Sequence, residues 1–158
     1  MRPFYFLCFV LFFSIEAVSQ TSSNIVGRWQ VIVMDNGVRY DYKTDTFLVS
    51  KALKDTLEKQ NSDFWNVDYY INWAGSCREC YFVFGKDGSY QEYRETDLRS
   101  NGTYVVNPAD STIQVVVYVN ENRIPKKYKY LFVDQRLSLH IPSFFRKEGL
   151  YLELERRD

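Results

Sequence analysis

The 158-residue sequence holds one histidine, three cysteines, four prolines and seven glycines, and its 20 basic residues are matched by 20 acidic ones. Each shortage removes a class of function. The single histidine, His140, shares the polar register of Ser138 between Leu137, Leu139 and Ile141. It cannot complete a Ser-His-Asp or Cys-His nucleophilic arrangement. A zinc site built on the cysteines would need two further ligands that the sequence does not bring near them. A formal net charge of +0 supplies none of the counterion-release attraction that drives nucleic-acid binding, and no polybasic membrane surface. No Gly-rich phosphate loop, H-E-x-x-H helix or EF-hand loop occurs. No Pro-rich linker, low-complexity tract or internal repeat divides the chain, so one domain is expected. What is present is 46% apolar and 18% aromatic residues, a composition too hydrophobic for a disordered chain.

The longest apolar run, Phe4 to Ile15, follows Arg2 and precedes the small residues Ala17 and Ser19. This is the pattern of a secretory signal peptide. At about 12 residues the run is shorter than the roughly 18 to 20 that span a bilayer as a helix. Cleavage is expected after Ser19, giving a signal peptide at 1–19 and a mature domain at 20–158 without a membrane span. Cys8 lies inside the apolar run, without the small residues before it that a lipidated leader requires. Removing the leader takes one charge of each sign, Arg2 and Glu16, and leaves Cys77 and Cys80 as the mature cysteines. The expected location is the periplasm or the exterior.

Along the mature chain the hydrophobic period is two. Gly27, Trp29, Val31 and Val33 share one face, and Arg28 and Gln30 the other, as in a half-buried strand. Asp35-Asn36-Gly37 supplies turn chemistry before a second strand, Val38 to Tyr42. The same grammar predicts strands at 81–84, 89–94, 103–106, 113–119, 127–133, 137–141 and 150–156, with turns at Lys86-Asp87-Gly88 and Asn101-Gly102. About nine short strands with tight links predict an antiparallel all-β barrel or sandwich. One stretch departs from this period. Ser50 to Gln60 places Leu53 and Leu57 four apart behind a Ser N-cap and reads as an amphipathic helix.

Gly27-Arg28-Trp29, placed on the first strand after the leader, resembles the G-x-W signature of lipocalins and of lipocalin-like proteins secreted by bacteria. Phe82 to Tyr90 (FVFGKDGSY) is similar to the family's F-x-F-x-x-D-G-x-Y hairpin, and Gly102-Thr103-Tyr104 to the strand after it. The resemblance implies a closed up-and-down barrel of about eight or nine strands with one inserted helix. It also implies that Trp29 plugs one end and that an Arg of the last strand packs across its ring. Arg156, in register with Leu150, Leu152 and Leu154, fits that place. Trp29 is also read as an ordinary core residue, and both readings make it structural.

Between the second and third predicted barrel strands, Thr44 to Cys80 inserts the helix and then five aromatics within Phe64 to Trp73. Classical lipocalins have no helix here. A connection this long lies over a mouth or along the wall. As a lid, it would bring Trp65, Tyr69, Tyr70 and Trp73 to an apolar or ring-containing ligand. As a satellite core, the same rings would pack the helix onto the barrel.

Cys77-Arg78-Glu79-Cys80 admits three chemistries. In an exported chain the simplest is a Cys77–Cys80 disulfide. Redox catalysis needs a stabilised thiolate, usually at a helix N-terminus, whereas Cys80 runs into a strand. Metal binding lacks ligands. Glu92, Glu95, Glu153 and Glu155 alternate with apolar residues and read as solvated strand exteriors rather than a glycosidase pair. Lys126, Lys127 and Lys129 interleave with Tyr128 and Tyr130 as strand alternation requires, without a nucleic-acid partner. The sequence thus points to an exported, non-enzymatic lipocalin-like protein that binds a small hydrophobic or amphipathic ligand and carries no cofactor or metal. The competing expectation is an envelope interaction module whose barrel is filled by its own side chains.

Overall fold

Alternation sets the architecture from the first strand, and the computed structural model describes residues 24–60, 66–142 and 149–157. The leader at 1–19 and Trp65 lie outside the described residues. In chain order the elements are β1 (Gly27–Asp35), β2 (Val38–Asp41), β3 (Thr46–Val49), α1 (Lys51–Gln60), α2 (Val67–Gly75), β4 (Cys80–Phe84), β5 (Ser89–Arg94), β6 (Asp97–Asn107), β7 (Thr112–Val119), β8 (Asn122–Val133), β9 (Arg136–Ile141) and β10 (Leu150–Arg157). Strands β4 to β10 form an antiparallel meander, β10 returns to β1, and β1 pairs with β4. The result is a closed eight-stranded antiparallel barrel, with two α-helices among the described residues. The β2–β3 hairpin continues the sheet beyond the ring, and β3 is its last strand.

β1 carries two neighbours on one of its edges. Its first residues, Gly27 to Gln30, pair with Phe84 to Tyr81 of β4, while Val33 to Asp35 pair with Asp41 to Arg39 of β2. A register shift between Val31 and Val33 on the β10 side marks a bulge that leaves Ile32 unpaired there. A bulge bends a strand and increases its twist, and here it coincides with the change of neighbour. Both faces of β1 are covered beyond that point, since Val31 to Met34 are all buried. The hairpin turn is held by Asp35 Oδ1, which accepts from Gly37 N (2.9 Å), and Asn36 Oδ1, which accepts from Val38 N (3.0 Å).

The inward faces form one continuous core in which Trp29, Phe84, Tyr90, Tyr128, Ile113, Leu137, Leu139 and Leu154 are fully buried. Burying each such side chain contributes roughly 1.5 to 3 kcal/mol. At the Trp29 end, the indole Nε1 donates to Ile25 O (2.7 Å) and the ring meets Phe132 edge-on at 6.0 Å. The Arg156 guanidinium stands 4.9 Å from the Trp29 ring centroid and donates through Nη2 to Asn24 O (2.6 Å) and Val26 O (3.1 Å). Gly27 supports this arrangement through its backbone, whose φ of +143° is a conformation that side-chain-bearing residues rarely adopt. The lead-in segment is therefore tied to the last strand at this end.

Three expectations are revised. The insertion holds a second helix, α2, because Asn66 caps it by accepting from Tyr69 N (2.9 Å) and Val67, Tyr70, Ile71 and Ala74 share one packed face. The short run Thr46–Val49 forms β3, made a strand by its pairing with β2. Asn101-Gly102 is not a turn but the middle of the eleven-residue β6. Gly102 pairs with Val117, and a Cβ at Gly102 would fall on the Val116 carbonyl. Gly102→Ala is accordingly expected to lower unfolding free energy by about 1 to 3 kcal/mol, read as a lower urea midpoint. An unchanged midpoint would show that the two strands do not approach this closely.

Candidate functional site

Along β5, Tyr90, Glu92 and Arg94 follow the period of two and face the same way. Their partners on β4 are Phe84, Phe82 and Cys80 respectively. Since directly opposed residues share a face, Glu92 and Arg94 lie on the side of the sheet that carries Phe82 and Phe84 into the core. Glu92 is thus not on the exterior. It is half-buried, accepts from Ser100 Oγ of β6 (2.9 Å) and from the Tyr90 hydroxyl (3.4 Å), and Tyr90 reaches the Tyr128 hydroxyl at 3.5 Å. A chain of polar groups runs through an otherwise apolar interior, away from the Trp29 end. The remaining three glutamates are exposed or carry cations outside: Glu153 meets Arg39 at 2.8 Å and Glu155 meets Lys43 at 3.0 Å.

The far end of this chain is bounded by α2 and the cysteine turn. α2 docks against the β2 side, where the Tyr42 hydroxyl donates to Ala74 O (2.5 Å), and Tyr40 stacks on Tyr42 at 5.0 Å. After the C-cap at Ser76 the chain turns at once, with Cys77 N donating to Ala74 O (3.0 Å) and Cys80 N to Cys77 O (3.0 Å). Arg78 forms an ion pair with Asp45, which fastens the turn to the β2–β3 loop. Cys77 and Cys80 are half-buried free thiols. The expected disulfide is therefore not formed in this structure. A short ring has little loop entropy behind it, about 2 kcal/mol, so its absence costs the fold little.

Of the predicted ligand residues on α2, Tyr69 and Tyr70 meet edge to face with ring centroids 5.5 Å apart. Tyr70 lies on the packed face of α2, whereas Tyr69 and Trp73 lie on its exposed face, 36% and 39% accessible. Their spacing of four residues puts them side by side on that outer face. Outside the barrel, Arg28 sits 3.8 Å above the Tyr81 ring, and Tyr81 stacks on Tyr93 at 4.7 Å with planes 8° apart. This stack borders a cleft of about 290 Å³ lined by Arg28, Gln30, Arg78, Glu79, Tyr81 and Glu95. Neither Tyr69 nor Trp73 lines it. The cleft escaped the sequence reading because its residues come from three separate segments. Glu92 was within reach of that reading, since its parity with Tyr90 places it inside.

No family model matches the sequence, and no curated protein matches it either. Among solved structures, the chain is similar to a DUF4847 family protein from Bacteroides vulgatus, with a TM-score of 0.44 and 14% identity over 84% of this chain and 94% of that one.

The buried phenols give the site a pH signature. Burial pushes the Tyr128 phenol up to about 12 and raises Tyr90 as well. In the unfolded chain both would ionise near pH 10. Their folded values are raised, so the stability they confer is complete below pH 10 and is lost as pH rises from there through about 12 for Tyr128. Each tyrosine should remove about 1.4 kcal/mol per pH unit across its window. Denaturant unfolding between pH 8 and 12 checks this, and Tyr128→Phe should flatten the slope.

Proposed function

We propose that the protein is an exported, non-enzymatic, lipocalin-like binding barrel that takes a small amphipathic molecule at the end of the barrel away from Trp29. The observation that carries this reading is the inward-facing Glu92 with its hydrogen-bonded partners Ser100, Tyr90 and Tyr128. Polar groups inside an apolar barrel are costly unless they are partnered. A few convergent polar groups against an apolar wall are what orient a ligand in such a site. Glu92 offers acceptors to a hydroxyl or amide, and Arg94 offers a cation to an anionic head. The packed face of α2, with Val67, Tyr70 and Ile71, suits the apolar part. Balanced charge fits a ligand that needs little long-range steering.

A second reading has its own support: the continuous buried core and the exposed Tyr69 and Trp73 suit a filled barrel that docks another protein through α2. Titration with 1-dodecanol and with a hydrophobic dye, read by tryptophan fluorescence, separates the two. Saturable binding with a dissociation constant at or below about 10 μM, weakened at least tenfold by Glu92→Leu in a folded variant, is the expected result. Neither probe saturating, together with native mass spectrometry finding no co-purified molecule, would overturn the ligand reading.

A further inference from the structure

The Cys77-Arg78-Glu79-Cys80 turn has no part in the binding reading, yet its surroundings are those of a reactive dithiol. We infer that Cys77 and Cys80 form a thiol–disulfide exchange pair, in which Cys77 attacks a disulfide of the glutathione class and Cys80 resolves the mixed product. The proposal shares Glu92 and Arg94 with the binding reading, and it is tested on the thiols alone.

The geometry begins with the turn. The Cys80 N–H···O=C Cys77 bond folds the four residues into a tight loop, and both thiols are half-buried rather than sealed in the core. Cys80 is directly opposite Arg94 on β5, so a guanidinium shares its face. Three other groups face the pair: Glu92 from β5, Tyr42 following β2, and Ser76 at the end of α2. The cysteines sit beyond a helix C-terminus, whose partial negative charge opposes a thiolate, so the stabilisation has to come from the partner thiol and the cation. The Cys80 thiol, hydrogen-bonded to Cys77, brings the Cys77 thiol down to about 7, with Ser76 and Arg94 also lowering it and burial and Glu92 opposing. The same hydrogen bond and burial push Cys80 up. That asymmetry, one thiol ionised near neutrality beside one held protonated, is what sequential attack and resolution require.

The exchange balances in two steps. The Cys77 thiolate attacks one sulfur of oxidised glutathione; an S–S bond forms to Cys77, the original S–S bond breaks, and a glutathione thiolate leaves and takes a proton. Cys80 then gives up its proton and attacks the Cys77 sulfur, releasing the second glutathione. Two electrons pass from the dithiol to the disulfide, and a Cys77–Cys80 disulfide remains.

Alkylation of the reduced full chain at pH 7 with iodoacetamide, followed by peptide mass spectrometry, should label Cys77 at least tenfold faster than Cys80. Arg94→Gln should move the pH midpoint of Cys77 labelling upward, while circular dichroism confirms the fold. With oxidised glutathione, Cys80→Ser should accumulate a mixed disulfide at Cys77, and Cys77→Ser should form at least tenfold less adduct. Across glutathione buffers spanning a thousandfold range of redox ratio, the wild-type pair should pass reversibly from dithiol to disulfide. Equal labelling of the two thiols, or a pair that stays wholly reduced or wholly oxidised across that range, would overturn the inference without bearing on ligand binding.

Discussion

Everything at the functional end depends on the point in β1 where the strand changes neighbours. Up to Gln30 its edge belongs to β4; from Val33 the edge belongs to β2. Because a backbone edge can pair only once, β4 and β2 must diverge there. The opening between them is then closed by side chains and helices instead of ladder hydrogen bonds. α2 meets that need by laying Val67, Tyr70, Ile71 and Ala74 against the core, while Tyr42 fixes its carboxyl end. The cysteine turn is the short link that returns the chain from this plug to the barrel wall.

The two ends of the barrel are accordingly built by different means. At the Trp29 end, closure is by a ring, a guanidinium and carbonyl acceptors drawn from opposite termini of the domain. Such a cation–π contact adds roughly 0.5 to 2 kcal/mol, and the hydrogen bonds make it directional. At the other end, half-buried polar groups stand beside the Tyr40, Tyr42 and Tyr70 rings, and the wall is a helix that packs through a single face.

The barrel was legible because its strands keep a strict period of two. β1, β4, β5, β7, β9 and β10 fall within a residue or two of the sequence-derived ranges, and Leu53 and Leu57 of α1 are buried as their spacing requires. Arg156 was visible through its parity with Leu152 and Leu154. Where the reading failed, pairing overrode local signals. Asn101-Gly102 has turn composition, yet the ladder with β7 holds it in a strand and uses the missing Cβ for close approach. α2 was hidden by its aromatics, which drew notice as rings rather than as a stripe repeating at 67, 70, 71 and 74. The exterior assignment of Glu92 came from counting it with the solvated glutamates instead of with Tyr90.

Among the described residues, ring closure leaves the sheet with one strand, β3, that has a neighbour on a single side. An unpaired edge is a template on which another chain can add a strand, and Phe47 and Leu48 on β3 are both exposed. Its length is the counterweight. Four residues offer only a few free ladder bonds, and the chain leaves them directly for the turn into α1, so an added strand finds nowhere to extend. Among the described residues, the free edge of the sheet is thus a stretch too short to propagate an added strand.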